Sequence, residues 1–150
     1  MKSIRIKKSD KNEIYELALE EDKLLKKFLS FSIYKVNFNK KLFDKLFESH
    51  FKKNHFFVGI KEKGKFVAIL SGYIKKAPSG NVGYIDNMMV SQRYRSKGLS
   101  TILRDKFFKF LKKRNIKYCQ LEVFYKNEGA IKIYKKWGFR IDGLQMTKKL

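Results

Sequence analysis

The 150-residue chain contains little of several residue types that mark particular protein classes. Cys119 is its one cysteine, so an intramolecular disulfide is excluded and the reducing cytosol is the expected compartment. One proline and nine glycines leave no room for a long linker or a low-complexity tail. No membrane-length apolar run and no signal-peptide core occurs in the sequence. We therefore expect one cytoplasmic globular domain over residues 1–150.

Acidic residues are scarce as well, at 14 against 36 Lys and Arg, which gives a formal charge of +22. A surplus of this size is compatible with nucleic-acid binding through counterion release. The lysines are scattered along every segment, however, and the chain is also rich in Asn, Ile, Phe and Tyr, whose codons are A/T-rich. We favour a low-GC genome over specific nucleic-acid binding as the origin of the charge, and keep a basic nucleic-acid-binding domain as the alternative.

Six of the 14 acidic residues lie close together near the N-terminus: Asp10, Glu13, Glu16, Glu20, Glu21 and Asp22. Two interpretations are open. They form a solvated helix face whose early acids complement the helix dipole, or a negative patch suited to a cationic acceptor. We favour the solvated face.

Apolar spacing predicts both helices and strands. Four helices are expected at 10–29, 39–51, 99–114 and 127–137. Strands are expected in a hairpin at 56–60 and 66–70, then at 82–90 and 118–124, with two short closing strands at 139–142 and 144–149. The strand–helix–strand order over 82–124 predicts a parallel βαβ unit within an otherwise antiparallel sheet. The expected class is α+β on a mixed sheet.

Several reaction chemistries find no support in the sequence. His50 and His55 lack accompanying ligands at metal-site spacing, so we expect no metal. There is no Gly-x-Ser-x-Gly motif, and Cys119 lies inside an apolar strand, which is typical of a small core residue. Walker and two-glycine dinucleotide motifs are also missing.

A basic loop between a predicted strand and a predicted helix is the most informative segment. Arg95 and Lys97 precede Gly98, and Ser100 and Thr101 supply hydroxyls where the helix begins. The first turn of a helix leaves backbone N–H groups unpaired, and their partial positive charge favours an anion. The loop therefore predicts a binding site for a phosphate-bearing ligand.

Two motifs make the chain resemble the GNAT superfamily of N-acetyltransferases. Arg95-Ser96-Lys97-Gly98-Leu99-Ser100 is similar to the family's Arg/Gln-x-x-Gly-x-Gly/Ala, and Val90 to Arg95 fits the Val-x-x-x-Tyr-Arg that often precedes it. Asn127 to Phe139 is similar to the family's Asn-x-x-Ala-x-x-x-Tyr-x-x-x-Gly-Phe. The chain departs from the pattern at Ser100, where glycine or alanine is usual, and at Ser96, a position often held by glycine.

The resemblance implies a three-layer α/β/α domain with a central parallel βαβ unit, and an acetyl-CoA-dependent N-acetyltransferase without a metal. Transfer would be direct, to a primary amine of a small molecule, protein or peptide, or to a tRNA- or ribosome-associated target. The family's acceptor site is built from variable loops and the first two helices, and homodimers are common. The implied cofactor-binding residues are Met89, Val90, Arg95, Ser96, Lys97, Gly98, Leu99, Ser100, Thr101, Asn127 and Tyr134.

The same resemblance assigns roles to these residues. Backbone N–H groups from Lys97 to Thr101 would hold the pyrophosphate, and Met89 and Val90 would pair with the pantetheine arm like an added strand. Tyr134 would protonate the departing thiolate as a general acid. Asp86 is the candidate base for the acceptor amine, directly or through water, with Glu122 in reserve.

Overall fold

The computed structural model describes residues 2–29, 37–78 and 80–150. Within these residues, five strands and four α-helices follow one another along the chain. They are β1 Ser3–Arg5, α1 Lys11–Leu25, α2 Lys40–Ser49, β2 His55–Glu62, β3 Lys65–Ala77, β4 Gly80–Val90, α3 Leu99–Lys112, β5 Cys119–Leu121 and α4 Glu128–Lys136. Each predicted helix is present, and α1 is extended by a 3-10 turn at Lys26–Phe28. No helix in these parts of the chain is long and apolar enough to cross a membrane.

The strands form one mixed sheet in the order β1–β2–β3–β4–β5. Neighbouring strands are antiparallel except β4 and β5, which are parallel and are joined through α3. This confirms the predicted βαβ unit. Strand β1 was not predicted, and it extends the sheet by pairing Ser3–Arg5 with Val58–Ile60 of β2.

A hydrophobic core lies on each face of the sheet. On one face, α3 buries Leu103 and Phe107 against β2, β3 and β4. On the other face, α1 and α2 bury Ile14 and Phe47 against Phe57 and neighbouring apolar residues of the sheet. Helices thus cover both faces of a mixed sheet, so the predicted three-layer α/β/α arrangement on a mixed, mostly antiparallel sheet is confirmed.

The two closing strands predicted at 139–142 and 144–149 are wrong. Residues 139–150 contain no helix or strand, and the large apolar side chains Ile141, Leu144 and Met146 are exposed. Alternating apolar residues suggested strands here, but no neighbouring strand in the described chain pairs with them. Strand β5 spans three residues, whereas the pattern predicted seven, so it offers little edge for a further strand.

Candidate active site

Strand β4 continues well beyond its parallel partner. Its pairing with β5 runs from Gly83 opposite Cys119 to Ile85 opposite Leu121, whereas its pairing with β3 continues to Val90. Beyond Ile85, none of the described strands pairs with β4 on the β5 side. This part of β4 includes the predicted residues Met89 and Val90, and the Val90 carbonyl accepts a hydrogen bond from Arg95 Nε. A strand side without a paired neighbour can take an extended ligand as an added strand.

The loop after β4 leads into an uncapped helix start. Gly98 is the N-cap of α3 with φ 75°, and no side chain caps the helix there. The N–H of Ile102 donates to the Gly98 carbonyl, so the N–H groups of Leu99, Ser100 and Thr101 precede the first bond within the helix. Unpaired N–H groups at a helix start can bind an anion such as phosphate.

Left-handed backbone makes this loop unusual. Ser96 has φ 60°, in a region that residues other than glycine enter at some energetic cost. A Cβ on Gly98 would meet nothing within 4 Å, so glycine is required there by its backbone angle and not by space. A glycine at position 96 would adopt the same backbone angle without that cost.

The two cations of the loop have different environments. Arg95 Nε donates to the Val90 carbonyl at 3.0 Å, and its guanidinium lies 3.7 Å from a Glu21 carboxylate oxygen. The ammonium of Lys97 lies 4.9 Å from the centre of the Tyr94 ring. Arg95 therefore joins the end of β4 to α1, and its contact with a phosphate stays a prediction.

Helix α1 contacts this loop at a second point. The Glu20 carboxylate accepts a hydrogen bond from the backbone N–H of Gln92, in the 3-10 turn Gln92–Tyr94. Glu20 and Glu21 thus hold neighbouring parts of the loop. Asp10 and Glu13 pair with Lys61, and Asp22 pairs with Lys26. Most of the acidic cluster is consequently engaged within the protein, and neither open interpretation describes all of it.

Helix α4 positions the candidate acid. The Asn127 side-chain oxygen accepts from the Ala130 N–H at 3.2 Å and caps the helix. Two turns later, the Tyr134 ring packs against Trp137 and Phe139, with ring centres 5.5 Å and 6.1 Å apart. Burial raises the pKa of Tyr134 to about 12, and the negative charge of Glu21 adds to the rise. The phenol is protonated at neutral pH, as an ordinary tyrosine is, and the raised pKa makes it a weaker acid.

Glu21 is a candidate site residue that the sequence analysis named only as one member of the acidic group. Its side chain is 16% exposed, and burial raises the pKa of its carboxyl, while the Arg95 charge lowers it. It influences Tyr134 on one side and binds Arg95 on the other. The signal was its position: Glu21 follows Ile14 and Ala18 at helical spacing, on the stripe of α1 that packs against the sheet.

The predicted base Asp86 lies at an irregularity of β4. Ser71 of β3 pairs with Asn87, but the next residue, Gly72, pairs with Ile85, so Asp86 is the extra residue of a β-bulge. Its carboxylate accepts from Asn87 Nδ2 at 3.2 Å and lies 3.3 Å from His50 Nε2. The bulge brings Asp86 and Asn87 together with His50 of the helix-terminal turn.

The reserve base Glu122 has a different partner. Burial raises the pKa of Tyr84 to about 12, and the charge of Glu122 and a hydrogen bond to it add to the rise. Burial also raises the pKa of Tyr73, and the negative charges of Asp86 and Glu122 add to that rise. The charges of both candidate bases therefore raise the pKa values of Tyr73 and Tyr84, whereas the charge of Glu21 raises that of Tyr134.

A pocket of about 240 Å³ lies between α1, α2 and the sheet. We call it the α1–α2 pocket. Its lining residues are Ile14, Ala18, Glu21, Asp22, Leu25, Phe38, Leu42, Phe43, Leu46, Phe47, His50, Phe57, Ile69, Ser71, Asn87 and Met89. It thus has mainly apolar walls, with carboxylates from α1 and a small polar group around His50.

Other chemistries have weaker structural support. The described residues contain no group of three or more His, Cys, Asp or Glu side chains that could hold a metal ion. Cys119 is half-buried, and burial raises the pKa of its thiol to about 12, which leaves almost no thiolate at neutral pH.

Comparison with known proteins agrees with this geometry. The profile of the acetyltransferase (GNAT) family matches residues 12–139. An uncharacterised N-acetyltransferase from Methanocaldococcus jannaschii is 34% identical over 90 residues, which cover 57% of this chain and 40% of that protein. The match therefore spans less than half the length of this curated relative.

Solved structures share the fold at low identity. A mutant of the BH1408 protein from Bacillus halodurans superimposes with a TM-score of 0.86 at 18% identity, covering all of both chains. Glucosamine-6-phosphate N-acetyltransferase from Arabidopsis thaliana gives a TM-score of 0.67 at 23% identity, covering 99% of this chain and 97% of that one. Since the family profile extends over most of the sequence and the fold agrees, the chain belongs to the acetyltransferase (GNAT) family.

Proposed function

We propose that residues 1–150 form one catalytic domain, an acetyl-CoA-dependent N-acetyltransferase that acts by direct transfer to a primary amine. The observation that carries this proposal is the junction of β4 and α3. There, the part of β4 beyond Ile85 has no described strand on its β5 side, and the loop 91–98 connects it to the uncapped first turn of α3. An extended amide-containing arm ending in phosphates requires these two features side by side.

The residues of the chain have distinct roles in binding. Backbone N–H groups of Leu99, Ser100 and Thr101 bind phosphate oxygens, and the edge at Met89 and Val90 pairs with the pantetheine amides. Ser100 keeps its backbone donor, and its small side chain adds a hydroxyl. Acetyl-CoA supplies the activated acyl group as co-substrate.

Proton transfer is divided between two sides of the site. The amine must lose a proton before it attacks the thioester carbonyl, and we assign that proton to Asp86, with Glu122 in reserve. The new C–N bond forms as the C–S bond breaks, and the Tyr134 hydroxyl donates its proton to the departing sulfur. Support for Tyr134 comes from its surroundings, because its phenol interacts with the charge of Glu21, which in turn contacts Arg95 of the loop.

The test is a Tyr134→Phe variant assayed for thiol release from acetyl-CoA with a panel of amines, peptides and tRNA. General acid catalysis contributes about 10²- to 10⁴-fold, so we expect kcat to fall by that amount. The dissociation constant for acetyl-CoA, measured by calorimetry, should change little. Tyr118→Phe is the matched control, because Tyr118 is 71% exposed and loses the same hydroxyl.

Two results would contradict the proposal in different ways. An unchanged kcat for Tyr134→Phe removes that residue from the mechanism. Failure of the wild-type protein to bind acetyl-CoA, together with salt-dependent binding of DNA or RNA, rejects acetyl transfer in favour of a basic nucleic-acid-binding domain.

A further inference from the structure

We propose that the α1–α2 pocket binds the apolar body of the acceptor, which is a small primary amine carried on an alkyl or aryl group. The ammonium group of the acceptor lies at Glu21 when the acceptor binds, and its proton then passes through water to Asp86, the base proposed above. This inference rests on the proposed acetyl transfer and specifies its acceptor.

The walls of the pocket determine what can fill it. Most of its lining consists of aliphatic and aromatic side chains from α1, α2 and the sheet. A hydroxylated sugar amine would leave its hydroxyl groups without partners against these walls, and burial of each unpaired hydroxyl is unfavourable. An alkyl chain or a phenyl ring gains free energy from the same burial. At about 240 Å³, the pocket has room for a group of that size.

The charge at the pocket matches an ammonium group. Among its described lining residues, Glu21 and Asp22 carry carboxylates, in a protein with a formal charge of +22. Asp22 is already paired with Lys26 at 2.6 Å. Glu21 has a looser contact, 3.7 Å from Arg95, and its carboxylate is largely removed from solvent. A ligand cation therefore improves the environment of Glu21 more than that of Asp22.

Position also favours Glu21 as the site of the reacting nitrogen. Its charge acts on Tyr134, the proposed acid, and it contacts Arg95, which binds the end of β4. Met89 belongs both to the pocket wall and to the open edge of β4. An amine at Glu21 thus lies between the apolar pocket and the residues proposed to hold the acyl donor.

The first experiment compares kcat/KM for ethylamine, butylamine, hexylamine and phenethylamine with that for glucosamine and an alanyl peptide. Each methylene that enters the pocket should raise kcat/KM roughly fourfold, and phenethylamine should exceed glucosamine. Calorimetry with phenethylamine measures binding separately from turnover.

The second experiment uses two pairs of variants. Glu21→Gln keeps the size of the side chain and removes its charge, and it should lower kcat/KM for hexylamine by roughly tenfold or more. Glu16→Gln, an exposed change on the same helix, should have no effect. Leu46→Ala removes part of the pocket wall and should reduce the increase in kcat/KM for each added methylene. Leu144 lies outside the pocket and is 81% exposed, so Leu144→Ala should leave that increase unchanged.

The outcomes separate this inference from the proposed function. Acetylation of glucosamine or the peptide in preference to the alkylamines overturns the inference and leaves acetyl transfer intact. Equal behaviour of Glu21→Gln and Glu16→Gln overturns the position of the ammonium group. Absence of acetyl-CoA binding rejects the proposed function itself, whatever phenethylamine does.

Discussion

Replacement of Gly98 by alanine isolates the role of the α3 N-terminus. Gly98 has φ 75°, and an added Cβ would meet no atom within 4 Å. Gly64, in the turn between β2 and β3, has φ 80° and is equally free of neighbours. The two substitutions therefore introduce the same kind of backbone strain, but only Gly98 adjoins the donors proposed to bind phosphate.

The expected stability changes are alike. Left-handed backbone disfavours a residue with a Cβ by about 1–2 kcal/mol. For a chain of this size, that loss lowers the melting temperature by roughly 2–8 °C. We expect the melting temperatures of Gly98→Ala and Gly64→Ala to decrease by similar amounts within this range.

The expected affinities differ. Strain at Gly98 is relieved by rotation of the first turn, which moves the N–H groups of Leu99 and Ser100 away from the phosphate. Loss of one hydrogen bond to a charged group is worth about 1.5–3 kcal/mol, or roughly 10- to 150-fold in the dissociation constant.

Calorimetric titration with acetyl-CoA and thermal unfolding of both variants measure the two quantities. Equal acetyl-CoA affinity in Gly98→Ala and Gly64→Ala would refute phosphate binding at the helix start. A much larger stability loss in Gly98→Ala would show that the glycine has packing constraints that its open surroundings do not indicate.

Three further changes test other parts of the structure. Cys119→Ala should leave kcat within about twofold, because a half-buried thiol whose pKa burial raises to about 12 is almost entirely protonated and is a poor nucleophile; loss of turnover would contradict direct transfer. Burial, aided by the charge of His50, lowers the pKa of His55, so the wild type should lose stability as the pH falls below 6.5. His55→Phe keeps the stacking on Tyr73 and should remove that loss of stability. Urea unfolding of the wild type and the variant at pH 7.5 and pH 5 measures the loss in each protein. Equal losses in the two proteins would show that His55 is not its source. Phe107→Ala should lower the free energy of unfolding by about 3–5 kcal/mol, because Phe107 is completely buried; a loss below 1 kcal/mol would contradict its central place in the α3 core.

Much of the fold could be predicted because long periodic segments report which face is buried. The stripe Leu99, Leu103, Phe107 and Leu111 predicted α3, and all four side chains are buried in one core. The order strand, helix, strand then determined that β4 and β5 are parallel. Gly98 indicated the helix start because glycine adopts positive φ at low cost, and Gly98 has positive φ at the N-cap of α3.

The rest depends on contacts between distant parts of the chain. Strand β1 has three residues, too few for any periodic signal. Residues 139–150 alternate like a strand, but a strand also needs a paired edge, which sequence spacing does not report. The bulge at Asp86 is visible only in the register with β3. Glu21 was grouped with its acidic neighbours, although its helical position puts it among apolar residues.

The contacts of α1 with the loop before α3 have a thermodynamic consequence. Glu20 binds the backbone of Gln92, and Glu21 contacts Arg95, so one helix borders both the proposed amine pocket and the proposed phosphate loop. An amine bound at Glu21 would weaken its contact with Arg95 and free the guanidinium. Linkage would then require reciprocity: whatever factor the amine adds to acetyl-CoA affinity, acetyl-CoA would add to amine affinity. Under this proposal, changes in α1 would alter acceptor choice and cofactor affinity together.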